Sequence, residues 1–175
     1  MLPAYYEDFS EIKKKIWLML NDAVKNRSSQ FRIPTFICGT ADKIDGRIVV
    51  LRKSDQSNNL VQFHSDIRSD KIEILKQNPN AAMLFYDKEE KIQVRFKVNC
   101  VINHKNEITK TSWDKTQHIS RKCYLVNNGP GTESKIPTSG LSPELDRYEY
   151  TKEQSEAGYE HFTVIQCRIK SIEWL

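Results

Sequence analysis

The sequence predicts a mainly β protein, built as an antiparallel barrel of about six strands with flanking helices. Short segments rich in β-branched and aromatic residues follow one another at close spacing. Helical periodicity is confined to the N-terminal part of the chain and to connections between these segments. Strands spaced in this way pair as antiparallel neighbours, and a barrel removes their exposed edges. With 175 residues, of which 38% are hydrophobic, we expect one domain over residues 1–175.

The first expected element is an amphipathic helix over about residues 7–27. Ile12, Ile16, Leu20 and Ala23 recur at spacings of three and four residues, which places them on one helical face. Asp8 precedes this pattern and is a favourable N-cap residue.

Six strands and three shorter helices are expected after this helix. The strands are predicted at residues 35–40, 47–53, 60–64, 81–86, 91–102 and 161–174. The helices are predicted at residues 67–77, 107–117 and 120–126. Residues 127–143 are rich in glycine and proline and are expected to form a long loop, a type of segment that often serves function.

Composition argues against several classes of protein. The net charge of +4 is far from the dense basic stripe of a nucleic-acid binder. No apolar run approaches the ~20 residues of a membrane span, and the N-terminal residues do not form a signal peptide. The histidines and cysteines lack the spacing of metal ligands. The four cysteines lie far apart, which indicates reduced thiols, and we expect a soluble cytoplasmic protein without a metal, nucleic-acid or membrane partner.

Cationic and hydroxyl side chains gather at strand ends and at the start of one helix. Arginine grips phosphate oxygens in bidentate fashion, and hydroxyls beside a helix N-terminus donate to the same oxygens. The residues with these properties are Arg47, Arg52, His64, Ser65, Arg68, Ser69 and Lys71. Gln93, on the next alternating strand, offers both a donor and an acceptor to the edge of a ring. The pattern predicts a site for a phosphate-bearing ligand.

The order and spacing of these residues resemble the FMN-binding split barrel of the pyridoxamine 5′-phosphate oxidase family. The resemblance extends over residues 47–95. It rests on Arg47 to Arg52, Phe63-His64-Ser65, Asp70-Lys71, Asn78-Pro79-Asn80-Ala81 and Gln93-Val94-Arg95. A second part of the sequence is similar to a general flavin-binding subgroup of this superfamily rather than to the vitamin B6 enzyme. This part comprises Trp113, Ser120-Arg121 and Gly129-Pro130-Gly131.

This resemblance implies a Greek-key split barrel that binds FMN at a homodimer interface. It implies that Arg47 and Lys71 hold the phosphate with help from Ser65, and that Arg68 supplies a further charge. Gln93 would lie at the polar edge of the isoalloxazine ring. The strand along the ring would comprise Ile48, Val49, Val50, Leu51 and Arg52, and the remaining cofactor contacts would come from His64 and Ser69.

The implied activity is FMN-dependent oxidation–reduction, with hydride transfer between a small substrate and flavin N5. The sequence departs from the family pattern in three places that bear on this activity. Asp70 stands at a usually basic position, the motif that binds substrate phosphate has no match at residues 111–120, and the C-terminal arginine motif is missing. Pyridoxine 5′-phosphate is therefore not the expected substrate, and no catalytic residue can be assigned. The alternative is a non-catalytic stress or sensor protein that binds flavin or haem. A deazaflavin is a further possible ligand, because members of this superfamily also bind one.

Overall fold

The computed structural model describes residues 7–147 and 150–175, which form two compact units that alternate along the chain. Unit 1 contains the described residues up to Phe63, together with Ile74–Val101 and Ile165–Leu175. Unit 2 contains His64–Glu73 and the described part of Ile102–Val164. The assignment of residues 1–175 to a single domain stays a prediction.

Seven strands form one sheet, in the order β2-β1-β5-β6-β7-β4-β3. Their bounds are Thr35–Gly39 (β1), Ile44–Ile48 (β2), Leu51–Asp55 (β3), Leu60–Asp66 (β4), Asn80–Asp87 (β5), Ile92–His104 (β6) and Phe162–Trp174 (β7). β1 pairs with β2 and β5, β3 with β4, and β5 with β6, all antiparallel. The mainly β class with flanking helices is confirmed, with seven strands instead of about six.

The extra strand arises because residues 47–53 do not form one strand. The Val49 N–H donates to the Pro34 carbonyl at 3.0 Å, which ends the pairing of β2 along β1. Two residues later Leu51 pairs with Phe63 of β4. Residues 44–46, which precede the strand expected at 47–53, belong to β2. β2 and β3 occupy the two ends of the strand order, so this short connection requires the sheet to curl within unit 1.

The core of unit 1 forms between the sheet and the first helix, α1 (Phe9–Lys25). Asp8 caps α1 by accepting a hydrogen bond from the Ser10 N–H at 2.7 Å. Ile16, Trp17, Leu20 and Ala23 are buried on one face of this helix, as its periodicity predicts. Aromatic pairs fill the interior: Phe36 with Phe63 at a centroid distance of 4.8 Å, and Phe85 with Phe96 at 5.0 Å. Burying each such ring contributes about 2–3 kcal/mol.

Unit 2 contains the start of α2 (Asp70–Gln77), which runs into unit 1, and the helices that follow β6. Those helices are α3 (Glu107–Asp114), α4 (His118–Arg121), α5 (Pro143–Arg147) and α6 (Lys152–Glu156). The apolar cluster of unit 2 consists of Trp113, Tyr124, Phe162 and Val164. The expected helix at 120–126 is replaced by the end of α4 and a short 3-10 turn, Lys122–Tyr124.

The expected loop at 127–143 has no helix or strand before α5 begins at Pro143. α5 and α6 were not expected from the sequence. In the part of the chain that the structure describes, no helix is long and apolar enough to cross a membrane.

Candidate functional site

A buried cluster of one ammonium and two hydroxyl groups lies at the start of α2 in unit 2. Lys71 Nζ donates to Ser65 Oγ at 2.8 Å and to Ser69 Oγ at 3.0 Å. The two hydroxyl oxygens are 3.2 Å apart. All three residues are buried, with at most 6% of their surface exposed. Three of the residues predicted to bind phosphate therefore lie in direct contact.

The turn between β4 and α2 positions this cluster. The Ser69 N–H and hydroxyl both donate to the Asp66 carbonyl, at 3.2 and 2.8 Å. α2 begins directly afterwards at Asp70, and the Ile72 N–H donates to the Ser69 carbonyl at 2.9 Å. Backbone N–H groups in the first turn of a helix lack intrahelical acceptors and attract anions. The cluster thus combines hydroxyls, a cation and a helix N-terminus, a suitable arrangement for a phosphate group.

Asp70, at the position where the family usually has a basic residue, is exposed in the first turn of α2. A carboxylate in this position interacts favourably with the positive end of the helix dipole. This interaction gives Asp70 a structural role in the helix.

Arg68 lies beside the cluster but directs its guanidinium elsewhere. Its Nε and Nη2 donate to the two carboxylate oxygens of Asp66, at 3.0 and 2.7 Å. Its Nη1 donates to the carbonyls of Val126 and Asn127, at 3.1 and 3.2 Å. The Asp66 side chain is only 3% exposed. Arg68 therefore joins the β4–α2 turn to the start of the long loop, and its contribution of charge to a phosphate stays a prediction.

Arg47, on β2 in unit 1, forms an ion pair with Asp45 through Nη2. Its Nε is buried and has no hydrogen-bond partner in the described part of the chain. A guanidinium whose N–H donors are not all used can still donate a hydrogen bond to a ligand oxygen. The residues that follow alternate in exposure: Ile48 is 65% exposed, whereas Val49 and Leu51 are buried. Val50 and Arg52 are half-buried.

One face of the sheet in unit 1 carries several exposed apolar side chains, together with the exposed Arg95 and Lys97 of β6. Ile37, Ile44 and Ile48 share this face because β1 and β2 pair in register, and their exposed fractions are 37%, 83% and 65%. Tyr86, 54% exposed, lies opposite Gln93 on the same face. Two residues predicted to contact the flavin ring, Ile48 and Gln93, therefore belong to an exposed apolar surface.

His64 lies in unit 2, where its ring packs edge-on against Phe162 at a centroid distance of 4.8 Å. Sequence reasoning did not find the acidic partners of the predicted cations, Asp45 and Asp66. The Asp-x-Arg spacing of each pair was a signal that could have indicated them. It also missed the contact of Arg68 with the loop carbonyls, for which the sequence carries no local signal.

Comparison with known proteins identifies the family. The sequence profile of the pyridoxamine 5′-phosphate oxidase FMN-binding domain matches residues 14–104, more than half of the chain. No curated protein sequence matches.

Solved structures show the same fold. A pyridoxamine 5′-phosphate oxidase-related, FMN-binding protein from Nostoc punctiforme is 15% identical, with a TM-score of 0.68 over 93% of this chain and 82% of that one. PhzG from Burkholderia lata, solved with tetrahydrophenazine-1-carboxylic acid, is also 15% identical, with a TM-score of 0.68 over 99% and 84% of the two chains. General Stress Protein 26 from Bacillus anthracis is 11% identical, with a TM-score of 0.55 over 91% and 93%. Together with the profile match, the buried cluster and the seven-stranded sheet lead to one assignment: the chain belongs to the pyridoxamine 5′-phosphate oxidase family of FMN-binding split-barrel proteins.

Proposed function

We propose that this protein binds FMN and acts as an oxidoreductase on a small organic substrate. The observation that carries the proposal is the buried contact of Lys71 with the hydroxyls of Ser65 and Ser69 at the N-terminus of α2. A buried ammonium is costly unless an anion or several hydrogen bonds compensate it. A phosphate group would provide such an anion, and the hydroxyls and first-turn N–H groups would donate to its oxygens.

Arg47 is the second cation of the proposed phosphate site, and its buried Nε without a partner supports this role. Arg68, which is held by Asp66, would add positive potential near the cluster and fix the turn. His64 would contact the cofactor from the end of β4. Ile48, Val49, Val50, Leu51 and Arg52 would lie along the ring, with Gln93 at its polar edge. Bound FMN supplies hydride exchange at N5, while the protein sets the position and hydrogen bonding of the ring.

The proposal includes a homodimer with the cofactor at the subunit interface. The exposed apolar face of unit 1, which carries Ile37, Ile44, Ile48 and Tyr86, supports it. Monomeric proteins rarely expose contiguous apolar surface of this kind. Because Ile48 and Gln93 lie on this face, a second subunit covering it would also cover the ring they are proposed to contact.

We also propose a cytoplasmic location. The sulfurs of Cys100 and Cys167 approach to 3.7 Å as thiols, whereas a disulfide would hold them at ~2.05 Å. Reduced cysteines at such close range suit a reducing compartment. Fractionation of cells that express the protein would test this location.

The first experiment is an absorption spectrum of the purified protein, before and after incubation with FMN and desalting. Retained flavin bands, with the released cofactor identified as FMN by chromatography, support the proposal. A Soret band in the purified protein would instead favour the haem-binding alternative. Protein that retains no flavin after incubation would contradict FMN binding.

The phosphate site is tested by Arg47→Ala combined with Lys71→Ala. Because each charge-assisted hydrogen bond contributes roughly 1.5–3 kcal/mol, we expect FMN affinity to fall at least a hundredfold. Lys76→Ala, an exposed lysine on the same helix, is the matched control and should leave affinity unchanged. Fluorescence titration measures the FMN affinity of the double variant and of the control. Retained affinity in the double variant would exclude the assignment of Arg47 and Lys71 to the phosphate site.

An enzyme and a flavin-binding sensor differ in turnover. We expect anaerobic NADH or NADPH to bleach the bound flavin within seconds, and oxygen to restore its absorbance, if the protein is an oxidoreductase that uses these donors. Flavin that stays oxidised with both nicotinamides and with a panel of candidate substrates would favour the non-catalytic alternative.

A further inference from the structure

Unit 2 contains a surface cavity of about 490 Å³ that none of the residues predicted to bind cofactor lines. Its walls come from the start of the long loop, from α5, from α6 and from the 3-10 turn that leads into β7. The volume lies in the range of pockets that bind small organic molecules. The cavity therefore has the size of a ligand site.

Polar side chains with unused hydrogen-bonding capacity line this cavity. Within the described part of the chain, the side chains of Asn127, Glu144 and His161 form no hydrogen bond, although all three line the cavity. Gln154 uses its carbonyl oxygen to accept from the Thr151 N–H at 2.8 Å, which leaves its amide NH₂ for another acceptor. A carboxylate, an imidazole and two amides thus converge on the same space.

The charge of these groups favours a cationic ligand. Among the described residues that line the cavity, Glu144 is the one with a permanent formal charge, and it lies in the first turn of α5. Leu125, Val126 and Leu145 supply apolar wall between the polar groups. This combination suits an organic amine whose ammonium group meets the carboxylate and whose hydrocarbon body meets the apolar wall.

Hydrogen bonds hold two of the walls in place without a ligand. The Asn127 N–H donates to the Gly140 carbonyl at 2.8 Å, and Arg68 donates to the carbonyls of Val126 and Asn127. The His161 carbonyl accepts from the Ile67 N–H at 2.8 Å. A preformed pocket saves the ordering cost that binding would otherwise carry.

We propose that this cavity is a binding site for a small organic amine, separate from the phosphate cluster and independent of the proposed flavin chemistry. Glu144 binds the ammonium group, and the amide oxygen of Asn127 and a ring nitrogen of His161 accept its remaining N–H donors. The turn at residues 66–68, which lies between Ser65 and Ser69, holds two walls of this cavity through Ile67 and Arg68.

The test uses the full chain, with and without added FMN, and follows backbone amide NMR signals during titration with phenethylamine. The neutral isostere 2-phenylethanol and the anion phenylacetate serve as matched probes. We expect saturable shifts in residues 124–127, 142–145 and 154–161 with the amine, at least about tenfold weaker binding of the alcohol, and no saturable shift with the anion. Equal binding of the amine and the alcohol, or shifts elsewhere in the chain, would overturn the proposal.

Three variants sharpen this test. Glu144→Gln should weaken amine binding by about fivefold, since the carboxylate is exposed to solvent, whereas Asp146→Asn should change it by less than about twofold. Ala157→Phe places a ring in the cavity and should abolish binding. Unchanged amine affinity in Glu144→Gln would contradict the assignment. FMN affinity, measured in parallel, should stay unchanged in all three variants, so failure of flavin binding and failure of the amine site are distinguishable.

Discussion

Lys71 illustrates at the scale of one residue how a binding site can cost stability. Its ammonium is buried against Ser65 and Ser69, where hydroxyl dipoles replace water. Removing a charge from water carries a desolvation cost that the surrounding protein groups only partly offset. The protein therefore carries a residue whose charge suits a ligand better than it suits the apoprotein.

This argument predicts opposite effects of Lys71→Met on stability and on binding. Without FMN we expect the free energy of unfolding to stay equal or to rise by up to about 1 kcal/mol, because a buried charge is replaced by an apolar chain of similar length. We expect FMN affinity to fall by about 10- to 100-fold. Urea unfolding and fluorescence titration measure the two effects, with Lys76→Met as the exposed control. A large loss of apoprotein stability would show that the ammonium is structural.

Glu156 gives unit 2 a pH-dependent contact. The hydrogen bond from the Trp113 indole, at 2.8 Å, and the ion pair with Arg121 hold the pKa of the Glu156 carboxyl below its ordinary value of 4.5. A carboxyl whose pKa is lowered on folding stabilises the folded state above its unfolded pKa. That stability is lost as the pH falls through the lower, folded value.

Glu156→Gln should therefore lower the free energy of unfolding at pH 7 by about 1 kcal/mol, a modest value because the carboxylate is half exposed. The difference from wild type should begin to shrink as the pH falls below 4.5 and should vanish below the lowered folded-state pKa of Glu156, where both chains carry a neutral side chain. Urea unfolding at pH 7, 5 and 3.5 measures this difference in the free energy of unfolding. Glu89→Gln, in an exposed turn, is the control. A constant difference across this range would contradict the role of the charge.

At the scale of elements, α1 could be predicted because its signals are local: apolar periodicity and an N-cap residue. The next helix was expected from residue 67, and α2 begins three residues later, at Asp70. The same local signals placed Ser65, Ser69 and Lys71 together. The division of residues 47–53 into two strands could not be predicted, because no glycine or proline interrupts them and the change of partner is a tertiary event. For the same reason α6 was not expected from the sequence, although its Glu156 contacts Trp113 and Arg121.

The long loop depends on one close approach. A Cβ added at Gly129 would lie 2.9 Å from Arg68 Cβ and 3.1 Å from the Arg68 carbonyl oxygen. Gly131, two residues later, has a φ of +87° but open space around its Cβ position. The two glycines therefore serve different purposes, one for packing and one for backbone conformation.

Gly129→Ala should displace the start of the loop from Arg68 and speed hydrogen exchange at the Asn127 N–H, which donates to Gly140. Gly131→Ala should leave that exchange unchanged. Each substitution costs about 1 kcal/mol of stability, one through overpacking and one through backbone strain, so melting temperatures alone would not separate them. Equal exchange rates at Asn127 in the two variants would contradict the anchoring role of the Gly129 contact.

At the scale of the whole molecule, the apolar face of unit 1 requires an explanation. Ile37, Ile44, Ile48 and Tyr86 share one side of the paired strands β1, β2, β5 and β6, while the other side forms the core. Strands with apolar side chains on both faces are usual where both faces are covered. In an isolated chain only one face is covered, so the pattern favours a second subunit.

The dimer is tested by Ile37→Asp combined with Ile44→Asp. Burial of one isoleucine contributes about 1.5–3 kcal/mol, so two charges on each subunit should weaken association by at least about 100-fold. Leu18→Asp, on the solvent face of α1 with 67% exposure, is the matched control and should leave the dimer intact. Sedimentation velocity measures the state of each variant. If the cofactor lies at the interface, the dissociated double variant should also lose FMN although its phosphate cluster is unaltered; a wild-type monomer that binds FMN stoichiometrically would exclude a shared site.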